Sequence, residues 1–310
     1  MDSDTNVTRK TKAAARRVRR GMPKIFAGHP IRLEATGPSS TDRLRKMATT
    51  SAALRSGPLY RNLVRREVRQ RYKGSFLGLG WTLLNPLIMV GAYWLVFKFL
   101  FGSPIPNYAL FMFVGLMVWT LFYGGITVAS SSLVANASLV TKVKFPREIV
   151  PLASVAANSI IAGAMLVIAV PLCMILGTGS LVPLVLLPIF LILTAILTCG
   201  AGLLLSALNV YFRDVDHILI AIGVPWFFLT PIFYTYSTLP AAARSHEIVL
   251  NLLHYGNPIA PYVVAVQDVL FFGRWPTLTD SLYCVLAAFV TLAIGIFVFH
   301  RLEREMAVEL

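Results

Sequence analysis

Hydrophobic and polar residues in this chain are segregated into long blocks. Six stretches run almost free of charge, at about 81–101, 108–130, 150–176, 181–208, 218–236 and 281–300. A bilayer core of roughly 30 Å takes about 20 apolar residues per helix, and each stretch comes close to that length or exceeds it. None shows the short alternating segments of a membrane barrel, so the pattern predicts an all-α integral membrane fold of six transmembrane helices. A further apolar run, IAPYVVAVQDVLFF at 259–272, is too short to span and holds Pro261, Gln267 and Asp268. It predicts a re-entrant or interfacial segment on the outer face.

The polar blocks have their own pattern. Residues 1–57 are rich in Ala, Ser, Thr and Arg, lack an apolar period, and predict a basic, disordered cytoplasmic tail. In 58–76 the residues Leu59, Tyr60, Leu63, Val64, Val68 and Tyr72 recur at helical spacing, while Arg61, Arg65, Arg66, Arg69 and Lys73 fill most other positions. Gly57-Pro58 offers a start and Gly74 a stop, which predicts an amphipathic helix lying on the membrane surface with its basic residues toward lipid headgroups. A plain juxtamembrane anchor fits the same pattern. The six spans then occupy 77–305, with 306–310 as a cytoplasmic tail.

Composition agrees with a membrane protein: 56% of the 310 residues are hydrophobic and 14% charged, and the mean hydropathy is +0.70. The net charge of +14 is equalled by residues 1–80 alone, which hold 19 Lys/Arg against 5 Asp/Glu. Ahead of six spans such a segment marks a cytoplasmic end facing anionic lipid rather than a nucleic-acid site. With both termini inside, 25 of the 28 basic residues fall on the cytoplasmic side, which predicts a multi-pass protein of the plasma (inner) membrane. The first long apolar stretch begins near residue 76, which predicts no cleavable signal.

The chemistry missing from the pattern narrows the function. No span contains Asp or Glu, and Lys98 sits near an outer end where its amine can snorkel to the surface. His29, His217, His246, His254 and His300 have no metal-ligand spacing, and Cys173, Cys199 and Cys284 fit small packing residues. Asp214 and Asp216 are two residues apart and point to different helix faces. The glycine cluster GSFLGLGW lacks the Gly-Lys-Ser/Thr ending of a phosphate loop, so no cofactor site is expected in this chain.

One stretch interrupts the apolar pattern between the second and third spans. LVTKVKFPREIVPL, 139–152, brings together Lys142, Val143, Lys144, Phe145, Pro146, Arg147 and Glu148. Pro146 is placed to start the third span, with Arg147 and Glu148 in its first turn. The positive-inside rule accounts for the three cations. The added apolar face of Leu139, Val140 and Val143 suits docking to a soluble partner.

Four segments taken in order resemble the membrane subunit of type-2 ABC exporters for cell-envelope polysaccharides. They are RREVRQRYKGSFLGLGWTLLNPL at 65–87, NASLVTKVKFPREIVPL at 136–152, LNVYFRDVDHIL at 208–219 and NPIAPYVVAVQDVLFFG at 257–273. The resemblance covers about 58–305; residues 1–57 depart from it. It implies a permease that moves a lipid-linked polysaccharide from the cytoplasmic to the outer leaflet. It further implies a homodimer bound to two copies of a separate ATPase, which binds ATP and Mg. Residues 142–148 and the interface helix, with Arg65, Arg66, Arg69, Tyr72 and Lys73, would meet that ATPase. Aromatic faces stack on sugars, so Tyr93, Trp94, Trp119, Tyr123, Trp226, Phe227, Tyr234 and Tyr236 are candidates for a glycan path, alongside ordinary packing or interfacial roles. Two alternatives stay open: a membrane-embedded glycan-modifying enzyme using His254 and Asp268 without ATP, and an ABC exporter of another lipid or a drug.

Overall fold

The structure is a computed structural model that describes residues 57–310 apart from 72, 75, 101, 143–144, 177–179, 240–244, 304 and 307–310. The expected tail at 1–57 thus lies outside the described residues except for Gly57, and so do Tyr72, Val143, Lys144 and most of 306–310. The described residues are helical and contain no strand.

Helix α1 covers 57–71, and the chain turns at Gly74, whose φ of +81° is one that glycine adopts readily. α2, Trp81–Trp94, runs on through a π-helical segment, Leu95–Leu100. α3, Tyr108–Ala135, contains a π-helical turn at Thr120–Gly124. The short α4, Ala137–Lys142, leads to α5, Ile149–Ile175. α6, Leu187–Tyr211, is followed by α7, Asp214–Leu229, then α8, Glu247–Tyr255, and α9, Ala260–Leu270. α10 spans Leu278–Leu302.

Five stretches are long and apolar enough to cross a bilayer, among the described residues: Leu83–Leu100, Tyr108–Ala135, Ile149–Ile175, Leu181–Tyr211 and Leu278–Leu302. The apolar stretch at 218–236 yields only the 16-residue α7. Thr230 precedes Pro231 and adopts an extended conformation (φ −85°, ψ 137°), which ends the helix before the hydropathy falls. The short apolar run at 259–272 gives the 11-residue α9, nearly all of it buried.

α3 occupies the middle of the bundle, with Phe111, Val114, Met117 and Val118 fully enclosed. α6 packs beside α3, α5 and α10. Gly200 of α6 and Gly295 of α10 let the two backbones approach closely, since a β-carbon on Gly200 would lie 2.5 Å from the Leu292 nitrogen. Large apolar side chains remain exposed along α10, including Leu282, Leu286, Phe289, Val290 and Phe297. That distribution suits helices solvated by lipid, where an apolar exterior carries no penalty.

A second, smaller core gathers the ends of several helices. Leu63 of α1 meets Val140, Ile149, Val150, Leu203, Val210, Phe299 and Met306 there. The apolar positions read from the α1 period therefore face a protein core at Leu63, while Arg65, Arg66 and Arg69 are exposed.

Candidate functional site

The charged stretch and α1 come together at this second core. α4 buries Val140 and exposes Lys142, and Phe145 is half-buried. α5 begins at Ile149 rather than at Pro146, with Arg147 and Glu148 in the turn before it. Pro151 falls in the first turn of α5, where its missing N–H removes no helical hydrogen bond.

Arg147 Nη1 donates to the Glu303 carbonyl at 2.5 Å, and Tyr211 Oη donates to the Leu302 carbonyl at 2.8 Å. Both acceptors lie at the C-terminus of α10, where carbonyls lack partners within the helix. Glu148 Oε2 lies 3.4 Å from His300 Nε2, and His300 Nδ1 lies 3.4 Å from Glu303 Oε2. The segments that end α6 and begin α5 are thus both fastened to the last turn of α10. Across the cluster, Arg66 of α1 donates to Asn136, at the junction of α3 and α4. On the free side of α1, Asn62, Arg65, Arg66, Arg69, Gln70 and Lys73 line an open groove of about 740 Å³.

The aromatic candidates divide. Trp119 stacks on Tyr123 at 4.8 Å and 11°, and Trp226 meets Trp119 edge-on at 6.0 Å. Phe227 lies 5.3 Å from Trp119 and 5.7 Å from Tyr93, which closes one continuous cluster across α2, α3 and α7. Trp119 and Phe227 are buried within it, whereas Tyr93, Tyr123 and Trp226 are half-buried. Two polar edges are fixed: Tyr123 Oη donates to the Leu219 carbonyl at 2.8 Å, and Trp226 Nε1 to Asn257 Oδ1 at 2.8 Å. Trp94 stands apart, lining an apolar cavity of about 360 Å³ with Tyr108, Phe113 and Leu172. Tyr234 also stands apart, paired with Tyr236 at 6.1 Å.

At the opposite end, the two residues considered for catalysis have separate partners. His254 Nε2 lies 2.6 Å from Asp280 Oδ1, while its Nδ1 is 3.1 Å from Tyr236 Oη. Asp268 is ion-paired with Arg274 at 2.7 Å, and that guanidinium lies 4.7 Å over the Phe272 ring. Lys98 Nζ is held by the Ser103 carbonyl at 2.8 Å. Asp216 accepts from Ser130 at 2.7 Å and from Asn209 at 3.0 Å, whereas Asp214 is exposed. No group of three or more His, Cys, Asp or Glu residues is arranged to hold a metal among the described residues.

An all-helical bundle with several membrane-length apolar helices and a charged cluster at one end defines a multi-pass membrane protein. The sequence matches the ABC-2 type transporter family over residues 58–271, and the chain belongs to that family. It is a transport permease subunit and not an enzyme, and its family implies a partner ATPase. The chain is 32% identical over 251 residues to the O-antigen export system permease protein RfbA of Myxococcus xanthus, across 79% of this chain and 93% of that protein. Two Klebsiella pneumoniae proteins of the same name are 28% identical over 249 and 247 residues, each across 79% of this chain and 92% of the relative.

Proposed function

We propose that this chain is the permease of an ATP-driven exporter that moves a lipid-linked polysaccharide from the cytoplasmic to the outer leaflet of the plasma (inner) membrane. The observation that carries the reading is the similarity, across 79% of the chain, to three proteins named as O-antigen export permeases. In this reading the permease is a homodimer, and two copies of the ATPase bind ATP and Mg. The second core, with α1 and residues 142–148, faces the cytoplasm and receives the ATPase. The charge count supports that orientation, because 25 of 28 basic residues then lie inside.

α7 serves as the fifth of six spans. Its 16 residues extend about 24 Å, and the segment after Leu229 completes the crossing. α9 is the re-entrant element: its Gln267 donates to the Pro231 carbonyl at 3.2 Å, tying it to the segment that follows α7. Sugar rings pass along the exposed edges of the cluster formed by Tyr93, Tyr123 and Trp226.

His254 and Asp268, the outer-face residues offered for the enzymatic alternative, are engaged by different partners, Asp280 and Arg274. The test is co-expression with an ATPase of this transporter class, followed by purification and reconstitution into vesicles loaded with a lipid-linked glycan. ATP-dependent appearance of the glycan on the opposite face is expected. Failure to assemble with any such ATPase, or modification of the glycan by the purified chain alone, overturns the reading.

A further inference from the structure

The end of the bundle remote from the second core holds a cavity. α3 and α5 contribute Leu133 and Ile149 to that core. Phe113 of α3 and Ile168 of α5 lie about 30 Å from those positions along their helices. There α2, α3 and α5 enclose about 360 Å³, lined by Val90 and Trp94, by Tyr108 and Phe113, and by Ile168 and Leu172. Val90, Tyr108 and Phe113 are buried and form the back wall, whereas Trp94 and Leu172 are exposed and leave the mouth open on the outside of the bundle. The Tyr108 hydroxyl donates to the Phe233 carbonyl at 2.6 Å, so its polar edge is satisfied elsewhere. No charged side chain lines the cavity among the described residues.

An apolar cavity of about 150 Å³ stays dry and takes benzene. The larger volume here has room for a longer run of hydrocarbon. All three walls belong to helices long and apolar enough to cross a membrane, so the bilayer supplies what enters the mouth.

A cation stands one turn beyond the cavity. Val90, Trp94 and Lys98 follow one another in four-residue steps along one side of α2 and its π-helical extension. Lys98 Nζ lies 2.8 Å from the Ser103 carbonyl and 3.5 Å from the Ile105 carbonyl. That loop leads directly into Asn107 and Tyr108, which line the cavity. An ammonium has three donors, and these carbonyls take two of them. No carboxylate lies within ion-pairing distance of Lys98 among the described residues.

An uncharged apolar molecule would fill the slot and leave the cation unmatched. A soluble anion would meet the cation and leave the slot empty. A phospholipid satisfies both, with an acyl chain below and a phosphate above. We propose that this cavity holds one acyl chain of a phospholipid from the surrounding bilayer, with the lipid phosphate at Lys98. The site does not depend on what the protein transports.

The test uses the full-length protein in detergent micelles, titrated with dipalmitoyl phosphatidylglycerol, dipalmitoylglycerol or glycerol phosphate and followed by native mass spectrometry. The wild type is expected to retain one phosphatidylglycerol more tightly than dipalmitoylglycerol, and not to bind glycerol phosphate at the same concentrations. Lys98→Gln should weaken phosphatidylglycerol roughly threefold to tenfold, because a charge-assisted contact at a half-exposed site is lost, and leave dipalmitoylglycerol unchanged. Ala109 lines the cavity, so Ala109→Phe should fill it and abolish retention of both lipids. Leu286→Phe, on the exposed side of α10, is the control and should change neither. Unchanged melting shows that the variants fold, and Ala109→Leu replaces Ala109→Phe if the latter melts early.

Unchanged retention of phosphatidylglycerol in either Lys98→Gln or the folded Ala109 variant overturns the proposal. So does a wild type that holds dipalmitoylglycerol as tightly as phosphatidylglycerol, because Lys98 then receives no phosphate. Glycerol phosphate bound as tightly as the lipid makes this a free-anion site and overturns it too. If the Ala109 variant separates two copies of the chain without changing lipid retention, the mouth belongs to a contact between copies and the proposal fails. None of these measurements involves export, so the lipid site and the export reading stand or fall separately.

Discussion

Arg147 and Glu303 are 156 positions apart in sequence, and the guanidinium of the first donates to the main-chain carbonyl of the second at 2.5 Å. The bond joins the turn before α5 to the end of α10. In the proposed coupling, a displacement of residues 142–148 would pass to α10, and from there to α6, against which α10 packs at Gly200 and Gly295. Tyr211 makes the parallel attachment from the end of α6 to Leu302.

Arg147→Ala removes one attachment to the end of α10 and leaves those of Tyr211 and Glu148. A hydrogen bond to a charged group contributes about 1.5–3 kcal/mol, and Tyr211 keeps the helix end in place, so the variant should fold with modestly lowered thermal stability. In a reconstituted complex it should hydrolyse ATP while exporting less glycan per ATP. Arg147→Lys, which keeps a donor, should recover part of the ratio. An unchanged ratio in Arg147→Ala, measured as glycan exported per phosphate released, removes Arg147 from the coupling route.

Met306 tests the second core independently of transport. It lies past the end of α10 and is fully buried beside Leu63 and Phe299. Met306→Ala should cost about 2–5 kcal/mol, as large-to-small core changes do. Loosening should appear first as faster limited proteolysis in α1, which loses part of its apolar seat, and then as a lower melting temperature. Proteolysis of α1 at the wild-type rate would show that the C-terminal segment does not hold that helix.

Much of this architecture is legible in the sequence, because a membrane imposes long apolar blocks; the α1 period marks Leu63 as an apolar-face position, but that face predicts a membrane surface and Leu63 packs into a protein core. The resemblance to exporter permeases reached the family that the sequence comparison shows. Other features follow from long-range contacts that no local pattern carries. Met306 falls where the sequence reads as a tail, yet it completes a core with residues from α1 to α10. The pairing of His254 with Asp280 rather than Asp268 depends on how α8 meets the start of α10. The short α7 had a local signal in Thr230-Pro231, hidden because hydropathy continues unbroken through Ile232 and Phe233. Trp94 and Tyr234 carried the same aromatic signal as their neighbours, and only packing separates them from the cluster.

Gly295→Leu should block the contact between α10 and α6. A β-carbon at Gly295 meets the Gly200 carbonyl, and neither backbone has room to withdraw without parting the helices. Overpacking of this kind costs about 1–3 kcal/mol, occasionally more, so the melting temperature should fall. Gly163→Leu is the matched control, because a β-carbon there has nothing within 4 Å. Equal melting of the two variants would mean that the glycine pair does not set the approach of these helices.

The division among the aromatics predicts a division in transport. Trp226 lies edge-on to Trp119 and Phe122 and donates to Asn257, so it joins the aromatic cluster to the segment leading into α9. Trp94 lines an apolar cavity on α2 and makes no ring contact with that cluster among the described residues. If sugar rings move along the cluster, Trp226→Ala should lower the export rate several-fold, whereas Trp94→Ala should leave it close to wild type. Both are half-buried or exposed, so loss of stability has to be separated from loss of path. Trp226→Phe makes that separation, because it keeps an aromatic face but drops the Nε1 bond to Asn257, worth about 0.5–1.5 kcal/mol. Export by Trp226→Phe near the wild-type rate, with a slightly lower melting temperature, assigns the effect to the aromatic face. Export as poor as in Trp226→Ala assigns it to the hydrogen bond that holds α7 to the segment entering α9. The measurement is initial rate of glycan export into vesicles at matched ATPase activity, and equal rates for Trp226→Ala and Trp94→Ala would remove the cluster from the path.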